Sequence, residues 1–222
     1  VNFILWDVDG TLVYNGADAG NLYHDALEIV VGRPLGDRLP GTHGKTDGQI
    51  ITENLSHFDL DPALHPLVVD QLDELSRLRH DAGNHRELCP GVASALAAVS
   101  AGGWTSGLLT GNSAARARYK VTGAGLSADL FDWEHSYFGE RDPLRTDLTR
   151  RARAELPDAR IVIIGDTPND GLAADAAGME FLAVGTGAFS LDDLRATSAR
   201  VVVADLATGL PGILEALGDG TR

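Results

Sequence analysis

Phe3-Ile4-Leu5-Trp6-Asp7-Val8-Asp9-Gly10-Thr11 is the stretch from which the rest of the chain can be read. Its first half is a short, near-continuous apolar run, the composition of a strand covered on both faces. Its second half sets two acids two residues apart at the carboxyl end of that strand. In an extended chain residues i and i+2 point to the same side, so Asp7 and Asp9 face one place, roughly 6 to 7 Å apart along the strand. Gly10 allows the backbone to turn sharply, and Thr11 offers a hydroxyl and an amide to an anion. The pattern Asp-x-Asp-Gly also occurs in calcium loops and in simple strand-to-turn transitions. An EF-hand loop, however, needs further oxygen ligands and a Glu at its twelfth position, where this chain has Asp18.

Outward from this strand, further apolar segments at residues 104–109, 161–164, 181–184 and 201–203 are each bounded by turn signals. Helix-patterned stretches at 92–100, 114–123, 147–155, 169–177 and 206–217 alternate with them. That alternation implies an α/β fold with an open parallel sheet covered by helices, a Rossmann-like three-layer core. The rhythm breaks once. About 90 residues separate the first two strands, where a βα crossover needs far fewer, so an insertion sits there. Segments 23–31, 47–58 and 64–80 have helical apolar spacing, with Leu67, Gln71, Leu72, Leu75 and Leu78 forming one stripe. Residues 15–88 are therefore expected to form an α-helical cap, and residues 1–14 and 89–222 the core domain. The turns at 14–20 and 82–90 are its expected hinges.

Two later strand ends bring company to the first. One reads Leu108-Leu109-Thr110-Gly111-Asn112, the other Ile163-Ile164-Gly165-Asp166-Thr167-Pro168-Asn169-Asp170. Ligands in open α/β sheets gather at the carboxyl ends of strands, and three such ends carry acids or hydroxyls here. These motifs, in this order and with the insertion after the first strand, resemble the haloacid dehalogenase (HAD) superfamily, most of whose members are phosphatases. Within it the chain looks most like the phosphoglycolate phosphatase-like members with a helical cap.

The resemblance implies a magnesium-dependent phosphatase that hydrolyses a small phosphomonoester through an aspartyl-phosphate intermediate. Asp7 would be the nucleophile and Asp9 the general acid and base. The Asp7 carboxylate, the Asp9 backbone carbonyl and Asp166 would hold Mg2+, with Asp170 behind them or as an extra ligand; oxygen-only donors suit that ion. Thr110 would donate to a phosphoryl oxygen, helped by the amides of Gly111 and Asn112, with Gly10 and Thr11 on the same anion. A helix cap is the alternative role for Thr110. One position departs from the pattern: the superfamily expects a Lys before the last motif, and residues 138–148 contain none. Lys120, on the helix after Thr110, and Arg145, near the usual place, are the two candidates for that positive charge. In the cap, Gly41-Thr42-His43-Gly44-Lys45-Thr46-Asp47 resembles the segment with which related caps reach the substrate, and Lys45 is its best substrate-reading residue.

Several classes are disfavoured by composition. With 18 Lys and Arg against 32 Asp and Glu, the net charge is -14, which repels a polyanion, so no nucleic-acid partner is expected. Arg150, Arg151 and Arg153 read as a solvated helix face. No apolar run approaches the roughly 18 residues that span a membrane. The single Cys89 cannot form an internal disulfide, and a cytoplasmic setting is expected. The partner is then a small-molecule phosphate ester, and no coiled-coil repeat announces an oligomer. Rival activities are a phosphomutase of the β-phosphoglucomutase kind, a dehalogenase, which would not need Asp9, and a non-catalytic phosphate-binding protein.

Overall fold

The computed structural model describes residues 1–16, 19–39 and 41–218, with backbone only at residues 19–21. Residues 17 and 18, inside the first expected hinge, lie outside the described residues, as does the Asp18 weighed above as a calcium-loop ligand. Strand β1 (Asn2–Trp6) is followed by helices α1 (Ala19–Val31), α2 (Asp47–His57) and α3 (His65–Asp81). Then come α4 (Val92–Ala101), β2 (Thr105–Thr110), α5 (Ala114–Gly123), β3 (Tyr137–Phe138), α6 (Arg145–Glu155) and β4 (Arg160–Gly165). The chain continues with α7 (Pro168–Ala176), β5 (Glu180–Val184), α8 (Leu191–Arg195), β6 (Val201–Val203) and α9 (Leu206–Gly218).

The six strands pair in parallel in the order β3-β2-β1-β4-β5-β6, with β1 central between β2 and β4. Period-two alternation explains why the strands are apolar throughout. Ile4 and Trp6 face one layer, where they meet Leu108, Val162, Ile164 and residues of α4, α5 and α9. Phe3 and Leu5 face the other, against Leu148 of α6, Ala174 of α7 and Leu194 of α8. Each fully buried Leu, Ile or Phe contributes about 1.5–3 kcal/mol, so both faces must be covered for the sheet to persist. The strand order reverses direction at β1, which puts the ends of β1 and β4 at the crevice where such sheets bind ligands.

Between β1 and α4, helices α1, α2 and α3 gather around an apolar cluster of their own, built on Leu27, Ile51, Leu55, Val68 and Leu72. The stripe expected on α3 is met in part: Leu72 and Leu75 join this cluster together with Val68, whereas Leu67 and Leu78 are exposed. The helix packs against α1 on one side and α5 on another, and that double contact shifts the buried face from the one that apolar spacing suggested.

β1 ends at Trp6, immediately before the first of the two acids. The amides of Leu12 and Val13 both donate to the Val8 carbonyl, and Gly10, at φ 85°, donates to Val13. That tight turn takes the chain out of the sheet straight after Asp7. Leu12, Val13 and Tyr14 then run beside residues 87–89: Tyr14 donates to the Glu87 carbonyl and Cys89 to that of Leu12. The two passages between β1 and the helices, outgoing and returning, are therefore hydrogen-bonded to each other. No described helix is long and apolar enough to cross a membrane.

Candidate active site

Asp7 leaves β1 with its amide donating to the Ile164 carbonyl of β4 at 2.9 Å, and its side chain is buried. Arg145, the first residue of α6, donates from Nη2 to Asp7 Oδ1 at 2.6 Å and to the Leu109 carbonyl at 2.9 Å. The same Nη2 lies 2.7 Å from Asp170 Oδ1. Burial pushes the Asp7 carboxyl up to about 6, against the pull of Arg145 and with a further push from Asp170 and Asp9. Asp166, which follows β4, is raised well above the ordinary carboxyl range by burial and by its neighbours Asp7 and Asp170.

Asp9 has the opposite character. Burial would raise it, but Lys120 Nζ at 2.5 Å and Asn112 Nδ2 at 2.7 Å bring its carboxyl down to about 2. Lys120 in turn is lowered by burial and held partly in check by Asp9. Arg145 and Lys120, considered as alternatives for one positive charge, thus each take a different carboxylate.

Carboxylate oxygens of Asp7, Asp166 and Asp170 lie within 4.8 Å of one another. Three buried acids with two carboxyl groups pushed upward and Arg145 as their shared cation form a donor set with an excess of negative charge. A hard divalent cation fits it. Asp166 is fixed by its surroundings. Thr11 Oγ1 donates to Asp166 Oδ1 at 3.2 Å, and a β-carbon at Gly187 would fall 1.6 Å from Oδ2, one at Gly10 2.3 Å from it. Asp170 closes a capping box at the start of α7: its Oδ2 accepts from the Thr167 amide at 3.0 Å and hydroxyl at 2.8 Å.

Asp7, Asp9, Lys45, Thr110, Gly111, Asn112, Lys120, Arg145 and Asp166 all line one cavity, with His43 at its edge. Thr110 Oγ1 accepts from Asn112 Nδ2 at 2.7 Å, while the cap of α5 is Ser113 rather than Thr110. Gly111 has no room for a side chain, since a β-carbon would meet the Lys45 carbonyl at 2.3 Å. Lys45 is tied to Glu53 at 2.7 Å. Three of the expected residues stand behind the cavity wall: Gly10 turns the chain against the Asp166 carboxylate, Thr11 spends its hydroxyl on Asp166, and Asp170 is fully buried beneath Arg145.

Sequence reasoning missed a buried clasp in the cavity wall. Asp47 at the start of α2 is 2% exposed and pairs with Arg116 of α5, which is 3% exposed. Tyr23 of α1 donates to Asp47 Oδ1 at 2.6 Å, and the Ser113 amide to Oδ2 at 3.1 Å. Backbone contacts continue the seam: Asp47 donates to the Gly111 carbonyl at 2.7 Å and Gly48 to that of Gly139 at 2.8 Å. Arg116 lies one helical turn before Lys120, on the same face of α5, and that spacing was the signal available for it.

Comparisons with known proteins bear on the fold and the family resemblance. Residues 144–209 match the HAD-hydrolase-like family model. A phosphoglycolate phosphatase of Cereibacter sphaeroides is 27% identical over 182 residues, 80% of this chain and 82% of that protein. CbbY from Rhodobacter sphaeroides, solved in complex with phosphate, superposes with a TM-score of 0.65 at 20% identity over 94% of this chain and 96% of its own. A putative β-phosphoglucomutase from Thermotoga maritima does so with a TM-score of 0.59 at 18% identity, over 98% and 100%. The family model over residues 144–209 and the relatives over four fifths of its length make the chain similar to HAD-like hydrolases, and it shares its fold with the solved structures above.

Proposed function

We propose that the chain is a magnesium-dependent phosphatase of small phosphomonoesters that works through an aspartyl-phosphate on Asp7, with residues 15–88 as a cap over a core of 1–14 and 89–222. One observation carries the reading: two carboxylates in opposite electrostatic states, Asp7 under Arg145 and Asp9 under Lys120, share a cavity with Thr110 and Asp166. Asp7, Asp166 and the Asp9 carbonyl would hold magnesium, with Asp170 behind them. Bound there, the ion would neutralise phosphoryl oxygens and leave phosphorus open to attack.

An Asp7 carboxylate oxygen attacks phosphorus and the bond to the ester oxygen breaks, with the proton for the leaving alkoxide coming from Asp9. Asp9 then takes a proton from water, whose oxygen displaces the Asp7 carboxylate from phosphorus and frees phosphate. The ionised state in which Lys120 holds Asp9 suits the second step. For the first, an entering phosphate dianion draws Lys120 to itself, and Asp9, losing that partner, returns towards a protonatable carboxyl. Arg145 holds Asp7 in line and balances its charge. Thr110 and the amides of Gly111 and Asn112 receive the phosphoryl oxygens.

The likeness to a phosphoglycolate phosphatase supports a small anionic ester as substrate, and a cytoplasmic setting fits the lone buried Cys89. A phosphomutase is the second reading, favoured by the likeness to a putative β-phosphoglucomutase and by the buried Asp47–Arg116 clasp, which would exclude water. The test is phosphate release from a panel of phosphomonoesters with magnesium and with chelator, beside Asp7→Asn. Magnesium-dependent release that the variant lacks is expected. Isomerisation of a sugar phosphate without net phosphate release would favour the mutase, and release that survives in Asp7→Asn would sink the nucleophile.

A further inference from the structure

A second cavity lies against the first, between the end of α3, residues 84–86 and α5. Its charge is the reverse of the chain's. In a protein with 32 acids against 18 Lys and Arg, this wall carries Arg79, Arg86, Arg116, Lys120, His80 and His85, and no carboxylate among the described residues. Two of the cations are bound elsewhere, Arg116 by Asp47 and Lys120 by Asp9. Arg79 and Arg86 enter no ion pair among the described residues, whereas Arg77, on the same helix, is claimed by both Glu74 and Asp81.

Polar nitrogens also stand unused: the Arg116 Nε–H and His80 Nδ1 are buried with no hydrogen-bond partner among the described residues. Gly123 leaves room for the two imidazoles, since a β-carbon there would come within 2.9 Å of the His85 ring and 3.2 Å of His80 Nδ1. Arg116 and Lys120 line both cavities, so the two recesses meet at these side chains. From there the ring of Tyr119 leads to His80 at 5.3 Å and on to His85 at 4.9 Å. Unpaired guanidinium groups and an unused buried N–H, next to a phosphoryl site, are what an extended dianion needs.

We propose that this recess is a second anion subsite, which seats the distal phosphoryl group of a bisphosphorylated substrate whose other phosphoryl group lies at Asp7. The inference rests on the phosphatase reading for the Asp7 end alone. Arg79 and Arg86 act as binding residues on the distal group, and neither touches the reacting atoms.

The experiment compares α,ω-alkanediol bisphosphates of three, four and five carbons with the alkyl monophosphates of equal length, in wild type, Arg79→Gln and Arg86→Gln. One linker length is expected to give a bisphosphate KM at least about tenfold below that of its monophosphate, worth about 1.4 kcal/mol. Each variant should shrink that gap while kcat for the monophosphate stays within about twofold. Equal KM values for both esters in wild type, or variants that weaken both esters alike, would overturn the proposal.

Calorimetric binding of the same pairs to Asp7→Asn, with and without Arg79→Gln, separates the two readings. An Arg79-dependent preference for the bisphosphate, with no ester hydrolysed by wild type, would keep the subsite and remove the phosphatase. No preference would remove the subsite even if hydrolysis is brisk. Arg79-dependent binding of inorganic phosphate that the bisphosphate does not displace would assign the recess to a free anion and overturn the proposal as well.

Discussion

Replacing the proposed nucleophile should make the metal-free protein more stable. Asp7 is buried among Asp9, Asp166 and Asp170, and even with Arg145 at 2.6 Å its carboxyl is raised from 3.8 to about 6. At 1.36 kcal/mol for each pH unit, ionising it inside the fold costs on the order of 3 kcal/mol at neutral pH. For a carboxyl raised in the folded state, this stability is fully present below the unfolded value near 3.8 and is lost as pH rises through about 6. Asp7→Asn keeps the shape and the hydrogen-bond acceptor but never ionises. In chelator at pH 7.5 it should gain on the order of 3 kcal/mol, or roughly 6–12 °C in Tm for a domain of this size. At pH 4 the gain should nearly vanish. Magnesium should stabilise wild type at pH 7.5 far more than the variant, because it offsets the same charge. Thermal and urea unfolding at both pH values, each in chelator and in magnesium, measure all four cases. A variant no more stable than wild type in chelator at pH 7.5, or a gain that persists at pH 4, would refute the idea that charge is stored at this site.

Arg116→Met should destabilise the protein by about 3–5 kcal/mol in urea unfolding, because it strands Asp47 at 2% exposure; Asp47→Leu combined with it should recover part of the loss. Gly187→Ala puts a β-carbon 1.6 Å from Asp166 Oδ2, so the magnesium concentration for half-maximal activity should rise about 10- to 100-fold in a metal titration of phosphate release. Lys120→Met should lower kcat about 10²- to 10⁴-fold in steady-state assays while Asp7→Asn chains with and without it bind magnesium alike, since Lys120 meets Asp9 and not the acidic cluster.

Much of this was legible because it is local in sequence. The apolar runs and the acids or hydroxyl at their ends marked β1, β2 and β4, and helix punctuation placed α4 to α7 within a few residues. β3 escaped because it is two residues long and its strand character comes only from pairing with Leu109 and Thr110. The five residues of α8 are too few for a periodicity to show. Arg145 was chosen by position and Lys120 by its place on α5, but that each would meet a different carboxylate depends on how α5 and α6 pack, which no window of sequence contains. The Asp47–Arg116 pair joins residues 69 apart. In sequence Asp47 reads as an acid beside a helix cap, and only tertiary contact buries it.

The hydrogen bond from the Cys89 amide to the Leu12 carbonyl, 3.0 Å long, has a consequence for how such a chain could arise. Everything between those two residues leaves the sheet and returns to the same spot. A loop whose ends already touch adds little closure entropy however long it grows, at about 0.6 kcal/mol for each doubling of length. Ancestors could therefore have exchanged, lengthened or shortened the helices above the acids while β1, β2 and β4 kept their register, and a ligand preference could change without the reacting carboxylates moving.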